Sequence, residues 1–551
     1  MNLTKNDLLV IFIVWLIATT LNVTKPFHID DAYHLEAAMH IAENPLQPSS
    51  GFINWGDVPE PLSQSNQPPL FFYLIALTGT LTSFSEIPLH LLVSVFTFLS
   101  ILFFFLTVRY IKPKDAPFLT AIFGLSPAFL VNQNIMVDIP LLAASLAFGY
   151  YTLKAGKTGE FRYLAFAGIA LGIAMLIKFT IIPLIVVMFI TPFLYRKPLH
   201  LTAILIPFLF IAGWSLYNIF EFNDVQLLTR NTEHSSLSSV PERFLSFLSC
   251  IGSISPFALM MFTTTQKKPA KYVPYVVAIF LGFNIFIIAS WLKIITPEFS
   301  KEIIRYVFML LGLVVFFTII LANKTIFKDL VSSSYDSYKR TFLLLWFCSI
   351  TSFIILFAPF IATRHVLLVI PAFLFLIPAI PVNFPKILKG VALIATISSG
   401  VLLSISDYHY AAFYRNHSRE IARNFNGDHQ IWALGHWGWQ WYSRVNGFRI
   451  YNTCISDVKV GDIMVYPSKV PLQQICPLIK LERIEERWDE PGFLSFFSTR
   501  NEASFYLSGY KRPAWQLSLM PTDTIVVQRV IEVEKSIFRE HHHESITSAY
   551  K

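Results

Sequence analysis

The sequence predicts a polytopic α-helical membrane protein that carries an α/β domain at its C-terminal end, outside the membrane. Of its 551 residues, 54% are hydrophobic and 14% are charged, whereas a soluble globular protein carries roughly 25% charged residues. About thirteen apolar segments of membrane-spanning length lie before residue 405. We therefore assign residues 1–405 to the membrane and residues 406–551 to the outer domain.

The distribution of basic residues orients the chain. The net charge is +8, but Lys and Arg cluster in short loops between the apolar segments, which argues against a nucleic-acid-binding surface. These clusters fall on alternate loops, on the side of Lys5 and Arg109. The positive-inside rule places that side, and the N-terminus, in the cytoplasm. We expect a multi-pass protein of the plasma membrane, the inner membrane of a bacterium, with its C-terminal domain outside the cytoplasm.

The predicted spans begin with Leu8–Leu21, which resembles a signal-peptide core. No small-residue cleavage site follows it, so we interpret it as a retained anchor. The other spans are predicted at Leu89–Val108, Ala116–Val131, Ile139–Leu153, Tyr163–Ile177, Ile181–Tyr195, Leu199–Ile219, Phe244–Phe262, Tyr272–Trp291, Ile303–Leu321, Phe342–Phe360, Val366–Ile380 and Ile387–Ser404.

The outer domain shows short segments of alternating polarity, which are typical of an α/β fold. We predict strands at Gln430–Gly435, Phe448–Tyr451, Asp462–Tyr466 and Thr524–Val530, and a helix at Trp437–Asn446.

Two groups of residues in this domain leave alternatives open. Cys454 and Cys476 are able to pair if the domain is extracytoplasmic. A cluster of aromatic residues either stacks on a sugar or forms the domain core or an interfacial belt. The cluster comprises Trp432, Trp437, Trp439, Trp441 and Tyr442.

The longest outer loop, residues 24–69, contains the first candidates for chemistry. Polar residues beside membrane spans are costly, so those that persist there are functional candidates. Asp30 and Asp31 open an amphipathic segment that also carries Tyr33. An adjacent acid pair at a helix start serves as a general base or a metal ligand, or it caps the helix. The residues alone leave these alternatives open.

Three more charged residues lie at outer span ends. Asp138 directly precedes Ile139 and Pro140, where Asp also caps a helix. Lys178 and Arg364 are cations on the side where cations are disfavoured, which is explained by snorkelling or by phosphate binding. Topology puts these residues at the membrane depth of Asp30. The set predicts a transferase site, in which an acid deprotonates an acceptor hydroxyl and cations, or a metal, stabilise a departing lipid phosphate.

At these residues the chain resembles the polyprenol-phosphate-sugar-dependent glycosyltransferases of the GT-C class. The nearest branches are the protein O-mannosyltransferases and the aminoarabinose transferases that modify lipid A. The resemblance covers approximately Leu8 to Ser404, and its landmarks occur in family order. They are Asp30-Asp31, the segment QPPLFFYL from Gln67 to Leu74, Asp138-Ile139-Pro140, Lys178 with Pro183, and Arg364-His365 with Pro371.

The resemblance implies a GT-C fold and an inverting transfer from a polyprenyl-phosphate sugar to a hydroxyl or phosphate of a lipid, glycan or protein acceptor, on the outer side of the membrane. A divalent metal cation is the one cofactor that the resemblance raises. The residues assigned to chemistry are catalytic Asp30, Asp31 and Asp138; donor phosphate-binding Lys178, Arg364 and His365; substrate-lining Tyr33, Gln67 and Asn134; and metal-binding His234.

Two other functions stay open at this point. A transporter or flippase of a lipid-linked substrate usually has charges near the membrane midplane and repeated halves. A glycan ligase or oligosaccharide transferase moves a whole glycan and needs a wider outer cavity.

Overall fold

The structure, a computed structural model, is predominantly helical. It describes residues 3–65, 67–229, 237–263, 269–323, 334–376, 385–425, 427, 429–490, 495–499, 502–503, 505–507, 509 and 511–534. The helices are α1 (Lys5–Asn22), α2 (Asp31–Glu43), α3 (Leu70–Thr82), α4 (Glu86–Ile111), α5 (Ala116–Gly124), α6 (Pro127–Val131), α7 (Asp138–Thr158), α8 (Phe161–Met175), α9 (Leu184–Leu194), α10 (Leu205–Phe222), α11 (Gln226–Thr229), α12 (Val240–Ser253), α13 (Ala258–Thr263), α14 (Val273–Trp291), α15 (Pro297–Ala322), α16 (Tyr335–Phe357), α17 (Thr363–Val366), α18 (Ile370–Leu376), α19 (Lys386–Asn424) and α20 (Trp437–Val445).

Seven of the described helices are long and apolar enough to cross a membrane, which confirms the predicted polytopic helical architecture. Six of them are α1, α4, α14, α15, α16 and α19, and the seventh runs from Pro198 through α10 to Phe222. Shorter apolar helices accompany them at Leu70–Thr82, Phe161–Met175 and Phe179–Leu194. The total of about thirteen spans stays a prediction.

Proline divides two of the apolar stretches that were predicted as single spans. The stretch from Ala116 to Val131 forms α5 and α6, because Ser126 is extended before Pro127 and its hydroxyl caps α6. The stretch from Phe244 to Phe262 breaks in the same way between α12 and α13, at Ser255-Pro256. Each break leaves two shorter helices in place of one straight span.

Helix α3 is an apolar element that the sequence analysis did not predict as a span. Its 13 residues measure about 20 Å at 1.5 Å per residue, and the hydrocarbon core of a bilayer is about 30 Å thick. The helix packs against α2 and α4. It is therefore a short helix of the outer loop region and does not cross the bilayer by itself.

Helix α19 connects the membrane part to the C-terminal part. Its 39 residues measure about 58 Å, roughly twice the thickness of the hydrocarbon core. The helix runs without a break through residue 405, the predicted domain boundary, which stays a prediction. Its second half lies beside the C-terminal elements and packs against α20.

The C-terminal part contains a mixed five-stranded sheet, as the alternating segments predicted. Its strands are β3 (Ile431–Ala433), β4 (Arg449–Ile450), β5 (Ile463–Pro467), β6 (Ile479–Arg487) and β7 (Ile525–Val533), while β1 (Phe52–Ile53) and β2 (Glu60–Pro61) pair in the first outer loop. The order is β4-β3-β5-β7-β6, with β4, β3 and β5 parallel and β7 antiparallel to β5 and β6.

Strand β6 is the element of this sheet that the sequence analysis missed. Its sequence IKLERIEER carries charges at most positions, and none of its residues is buried. An edge strand with charged side chains resists pairing with other chains. The composition hides the strand because only Ile479 and Leu481 at its start pack against the core, while charged residues occupy most other positions.

The structure shows the surroundings of the aromatic cluster and of the two cysteines in this domain. The aromatic residues Trp432, Trp437, Trp439, Trp441 and Tyr442 are all buried, so they belong to the domain core and its interface. Cys454 and Cys476 form a disulfide bond.

The C-terminal part packs directly on the outer loops that carry the candidate site residues. The amide of Phe27 donates to the Tyr442 hydroxyl at 2.7 Å. Gly438 lies so close to the Phe27 carbonyl that a Cβ there would approach the oxygen to 2.5 Å. Farther along, the amide of Thr363 donates to the Phe505 carbonyl at 3.1 Å. The C-terminal part thus holds both the chain before α2 and the start of α17.

Candidate functional site

Asp30 and Arg364 form the central contact of the candidate site. Asp30 immediately precedes α2, but its side chain makes no capping hydrogen bond. Instead, Arg364 Nη1 donates to Asp30 Oδ2 at 2.5 Å. Arg364 belongs to the one-turn helix α17, which follows span α16. The Asp30 carboxylate is therefore available for a role other than capping the helix.

A second ion pair lies beside the first. Asp138 is the first residue of α7, and Lys178 follows the end of α8. Lys178 Nζ donates to Asp138 Oδ1 at 3.0 Å. Asp138 also interacts electrostatically with Arg364 and His365. The structure thus brings together Asp30 and the four residues of this cluster, from four separate outer segments.

The guanidinium of Arg364 has one donor that makes no hydrogen bond within the described residues. Its Nη1 serves Asp30 and approaches the Met136 sulfur at 3.6 Å. Its Nε is buried and has no hydrogen-bond partner among the described residues. An unpartnered buried N–H is costly, so this donor favours a ligand oxygen.

A polar cavity of about 250 Å³ opens beside Asp30. Tyr33 and Gln67, both predicted to line the substrate site, contribute to its wall. The other lining residues include His34, Trp55, Glu60, Gln64 and Ser65. Sequence reasoning missed His34, although its position four residues after Asp30 on a helix put it on the same face.

His34 has one free ring nitrogen. Its Nδ1 lies 2.6 Å from the carbonyl oxygen of Asp30, and a carbonyl only accepts, so Nδ1 carries the hydrogen. Burial lowers the pKa of His34, which keeps the ring neutral. Nε2 is then a lone-pair acceptor, and it is buried without a partner among the described residues.

A second cluster, which we call the buried cluster, lies behind Asp30 and is built around a buried ion pair between Lys25 and Asp407. Lys25 Nζ also donates to Asn134 Oδ1 at 2.5 Å, and the Tyr506 hydroxyl donates to Asp407 at 2.9 Å. Asn134 was predicted to line the substrate site, and the structure places it in this cluster, hydrogen-bonded to Tyr506. One feature of the sequence points to Lys25: it is a lysine at the predicted outer end of α1, where cations are disfavoured.

Asp31 faces the buried cluster, away from Asp30. Its side chain is fully buried, and Oδ2 accepts from the amide of His28 at 2.7 Å. Burial raises the pKa of Asp31 to about 8. The two adjacent acids therefore have different surroundings, and the catalytic role of Asp31 stays a prediction.

The predicted metal ligand His234 lies outside the described residues. Within those residues, no three His, Cys, Asp or Glu side chains converge to hold a metal ion. The metal requirement therefore stays a prediction, and the chemistry below is derived from the protein's own side chains.

An apolar groove of about 470 Å³ lies near Lys178. Leu176, two residues before Lys178, forms one end of it, and Leu209, Phe210 and Trp214 of α10 line its side. Its apolar walls suit a lipid chain.

Comparison with known proteins supports the resemblance. A family model described as dolichyl-phosphate-mannose-protein mannosyltransferase matches residues 66–219, the part that contains Gln67, Asp138 and Lys178. This match confirms the resemblance to the GT-C glycosyltransferases that the motifs predicted. No curated protein matches the chain.

Three solved structures illustrate the structural similarity. The S. cerevisiae protein O-mannosyltransferase Pmt1-Pmt2 complex bound to the sugar donor is 15% identical over 40% of this chain and 34% of its own, with a TM-score of 0.32. Oligosaccharyltransferase AglB from Archaeoglobus fulgidus, with an inhibitory peptide and a dolichol-phosphate, is 13% identical over 81% of this chain and 64% of its own, with a TM-score of 0.46. ArnT from Cupriavidus metallidurans bound to undecaprenyl phosphate is 14% identical over 84% of this chain and 92% of its own, with a TM-score of 0.40. The chain spans less than two thirds of the yeast and archaeal chains.

Proposed function

We propose that this multi-span membrane protein transfers a sugar from a polyprenyl-phosphate donor to an acceptor hydroxyl on the outer side of the membrane. The observation that carries the proposal is the position of Asp30, between a polar cavity and the cations Arg364 and Lys178. A base beside an acceptor cavity and cations beside a lipid groove are the two halves of a transfer site.

The proposed reaction is a single displacement. The acceptor oxygen forms a bond to the anomeric carbon of the donor sugar while its proton passes to Asp30. The bond between that carbon and the phosphate oxygen breaks, and its electron pair leaves on the polyprenyl phosphate. Attack from the face opposite the leaving group inverts the configuration at the anomeric carbon.

The cations stabilise the leaving phosphate in this scheme. Arg364 offers its unpartnered Nε, and Lys178 offers the ammonium that now contacts Asp138. Charged donors on a phosphate are strong hydrogen bonds, and Arg presents several of them in a fixed plane. The groove between Leu176 and α10 holds the isoprenoid chain, whose apolar surface belongs in the bilayer.

The distribution of basic residues supports the proposed orientation in the membrane. Under the positive-inside rule it favours a cytoplasmic N-terminus, with Asp30, Arg364 and the C-terminal part outside the cytoplasm. We propose the inner membrane of a bacterium as the location, with a lipid, glycan or protein as the acceptor.

The test is a bond-cleavage assay on the purified protein in lipid nanodiscs. A panel of polyprenyl-phosphate sugars is incubated with the protein and with membrane extracts that contain candidate acceptors, and free polyprenyl phosphate is quantified by mass spectrometry. The proposal predicts its release together with a glycosylated product of inverted configuration. Movement of intact donor between the leaflets of proteoliposomes without release would show a flippase instead.

A further inference from the structure

We propose that the cavity beside Asp30 binds a neutral sugar ring of the acceptor, whose hydroxyl groups donate to His34 Nε2 and Gln67 Oε1. This inference rests on the proposed function and names its acceptor class. It predicts a glycan acceptor for this cavity and argues against a phosphorylated acceptor or a peptide.

The wall of the cavity is rich in hydrogen-bond acceptors. His34 Nε2 and Gln67 Oε1 are both buried without partners among the described residues. The carboxylates of Asp30 and Glu60 line the same space. Buried polar atoms are normally hydrogen-bonded, because an unpartnered one loses its hydration without compensation. A ligand that donates several hydrogen bonds would supply these atoms with partners.

His34 is oriented for this purpose by its own helix. With Nδ1 held against the Asp30 carbonyl at 2.6 Å, Nε2 lies at the far end of the ring, away from the α2 backbone. The side chain is 1% exposed, so its rotation is restricted by packing against Phe72, whose ring centroid lies 5.3 Å away. A fixed lone pair next to a carboxylate is a site for a hydroxyl group.

Aromatic rings supply the apolar part of the wall. Trp55 lies edge-to-face with Tyr33 at a centroid distance of 5.3 Å and next to His436 at 5.7 Å. Aromatic side chains with one apolar face and polar neighbours suit ligands that are themselves apolar on one face and polar at the edge. A pyranose or furanose ring has this character, with C–H groups on its face and hydroxyls around it.

Charge argues against a phosphate or another anion in this space. The described lining contains Asp30 and Glu60 and neither Lys nor Arg. Two carboxylates repel an anion at close range. Arg364 pairs with Asp30 without being among the lining residues, and the donor phosphate is proposed to bind beside Arg364 and Lys178.

Size restricts the ligand to one ring at a time. The cavity measures about 250 Å³, below the range of roughly 300–1,000 Å³ that holds drug-sized ligands. A terminal sugar of a larger glycan fits this space with the rest of the glycan outside. Its nearest hydroxyl then lies against Asp30, the proposed base.

The experiment measures sugar binding without turnover. Saturation-transfer NMR is recorded on the protein in nanodiscs with methyl glycosides of glucose, mannose and galactose as probes. At least one of them is expected to bind, and inorganic phosphate and a Ser/Thr peptide are expected not to displace it. Displacement by phosphate or by the peptide, or the absence of binding by all three glycosides, overturns the inference.

Two variants test whether the sugar binds in this cavity. His34→Phe keeps the ring shape and Gln67→Met keeps the length. Each removes the acceptor atom, together with the Nδ1–H of His34 or the amide NH2 of Gln67. Both are expected to weaken glycoside binding by roughly tenfold while the KM for the lipid donor stays unchanged. His40→Phe is the matched control on the same helix, because His40 Nε2 contacts the Gln47 carbonyl at 2.8 Å and does not line the cavity.

The outcomes separate this inference from the proposed function. If the protein cleaves the donor and binds glycosides, but neither His34→Phe nor Gln67→Met weakens that binding, the acceptor assignment is wrong and the proposed transfer still holds. Glycoside binding in the cavity without any donor cleavage would sink the transferase and leave a sugar-binding site.

Discussion

The two clusters of charged residues on either side of the Asp30–Asp31 pair differ in their access to ligand. In the buried cluster, the side chains of Lys25 and Asp407 are 1% and 0% exposed. In the cavity-side pair, Arg364 and Asp30 are 10% and 22% exposed. Both clusters pair a cation with a carboxylate, so charge alone does not tell them apart. The accessible one is suited to bind and react, whereas the enclosed one fixes the backbone.

The buried cluster joins parts of the chain that are far apart in sequence. Lys25 follows α1, Asp407 lies on α19, and Tyr506 belongs to the C-terminal part. Asn134, in the loop between α6 and α7, is hydrogen-bonded to both Lys25 and Tyr506. The cluster thus holds in register the segments that carry Asp30 and Asp138 at the site.

We expect the largest effect on the free energy of unfolding, when the ion pair between Lys25 and Asp407 is broken. Lys25→Met leaves the Asp407 carboxylate buried without its cation, and removing one partner of a buried pair costs about 3–5 kcal/mol. The midpoint of thermal unfolding in detergent should fall accordingly. The double variant Lys25→Met/Asp407→Leu should recover most of the loss, because two apolar residues replace two buried charges. A single variant as stable as the wild type would contradict the distinction between the clusters.

A smaller effect, on donor binding, is expected on the cavity side. Lys178→Met removes a charged donor to the phosphate, worth about 1.5–3 kcal/mol, so the KM for the lipid donor should rise about 10- to 100-fold. Stability should fall less than in Lys25→Met, because the side chains of Lys178 and Asp138 are 15% and 10% exposed. Lys301→Met is the matched control, since Lys301 pairs with Glu502 at 2.8 Å away from the site. Equal donor KM values in the two variants would remove Lys178 from the phosphate site.

The smallest change in turnover is expected at Asp31. Asp31→Asn mimics the protonated acid, so activity at pH 7 should change less than about tenfold, below the range of general acid–base effects. The variant should instead alter the pH dependence of stability. Burial raises the pKa of Asp31 from 3.8 to about 8. The contribution of this carboxyl to the free energy of unfolding is therefore complete below pH 3.8 and is lost as the pH rises towards about 8.

Unfolding curves between pH 4 and pH 8 measure this effect. The wild type should lose more stability than Asp31→Asn over that interval. Lys25, His28, Asp30 and Tyr506 are the neighbouring titratable groups and are the same in both proteins. Parallel curves would mean that Asp31 is charged in the folded protein.

Topology explains which site residues were predictable from the sequence. Asp30, Lys178 and Arg364 stood out because charges at outer span ends are rare, and the structure brings them together with Asp138. Gln67 followed from the family motif QPPLFFYL and Tyr33 from the amphipathic segment after Asp30, and both line the cavity.

The residues that were missed depend on tertiary packing. Nothing local in the sequence pairs Lys25 with Asp407, because the contact requires α19 to extend beyond the membrane and lie beside the first outer loop. Trp55 and Glu60 come from irregular segments around β1 and β2, where periodicity carries no signal. In the outer domain, β6 was missed because it is charged on both faces.

The most direct measurement compares the turnover of Asp30→Asn with that of the wild type, using the same donor and acceptor in nanodiscs. If Asp30 is the base, turnover falls by about 10²- to 10⁴-fold, while the unfolding midpoint is preserved. Full turnover in Asp30→Asn, at normal expression and stability, would contradict the assignment of the base and with it the account of the site.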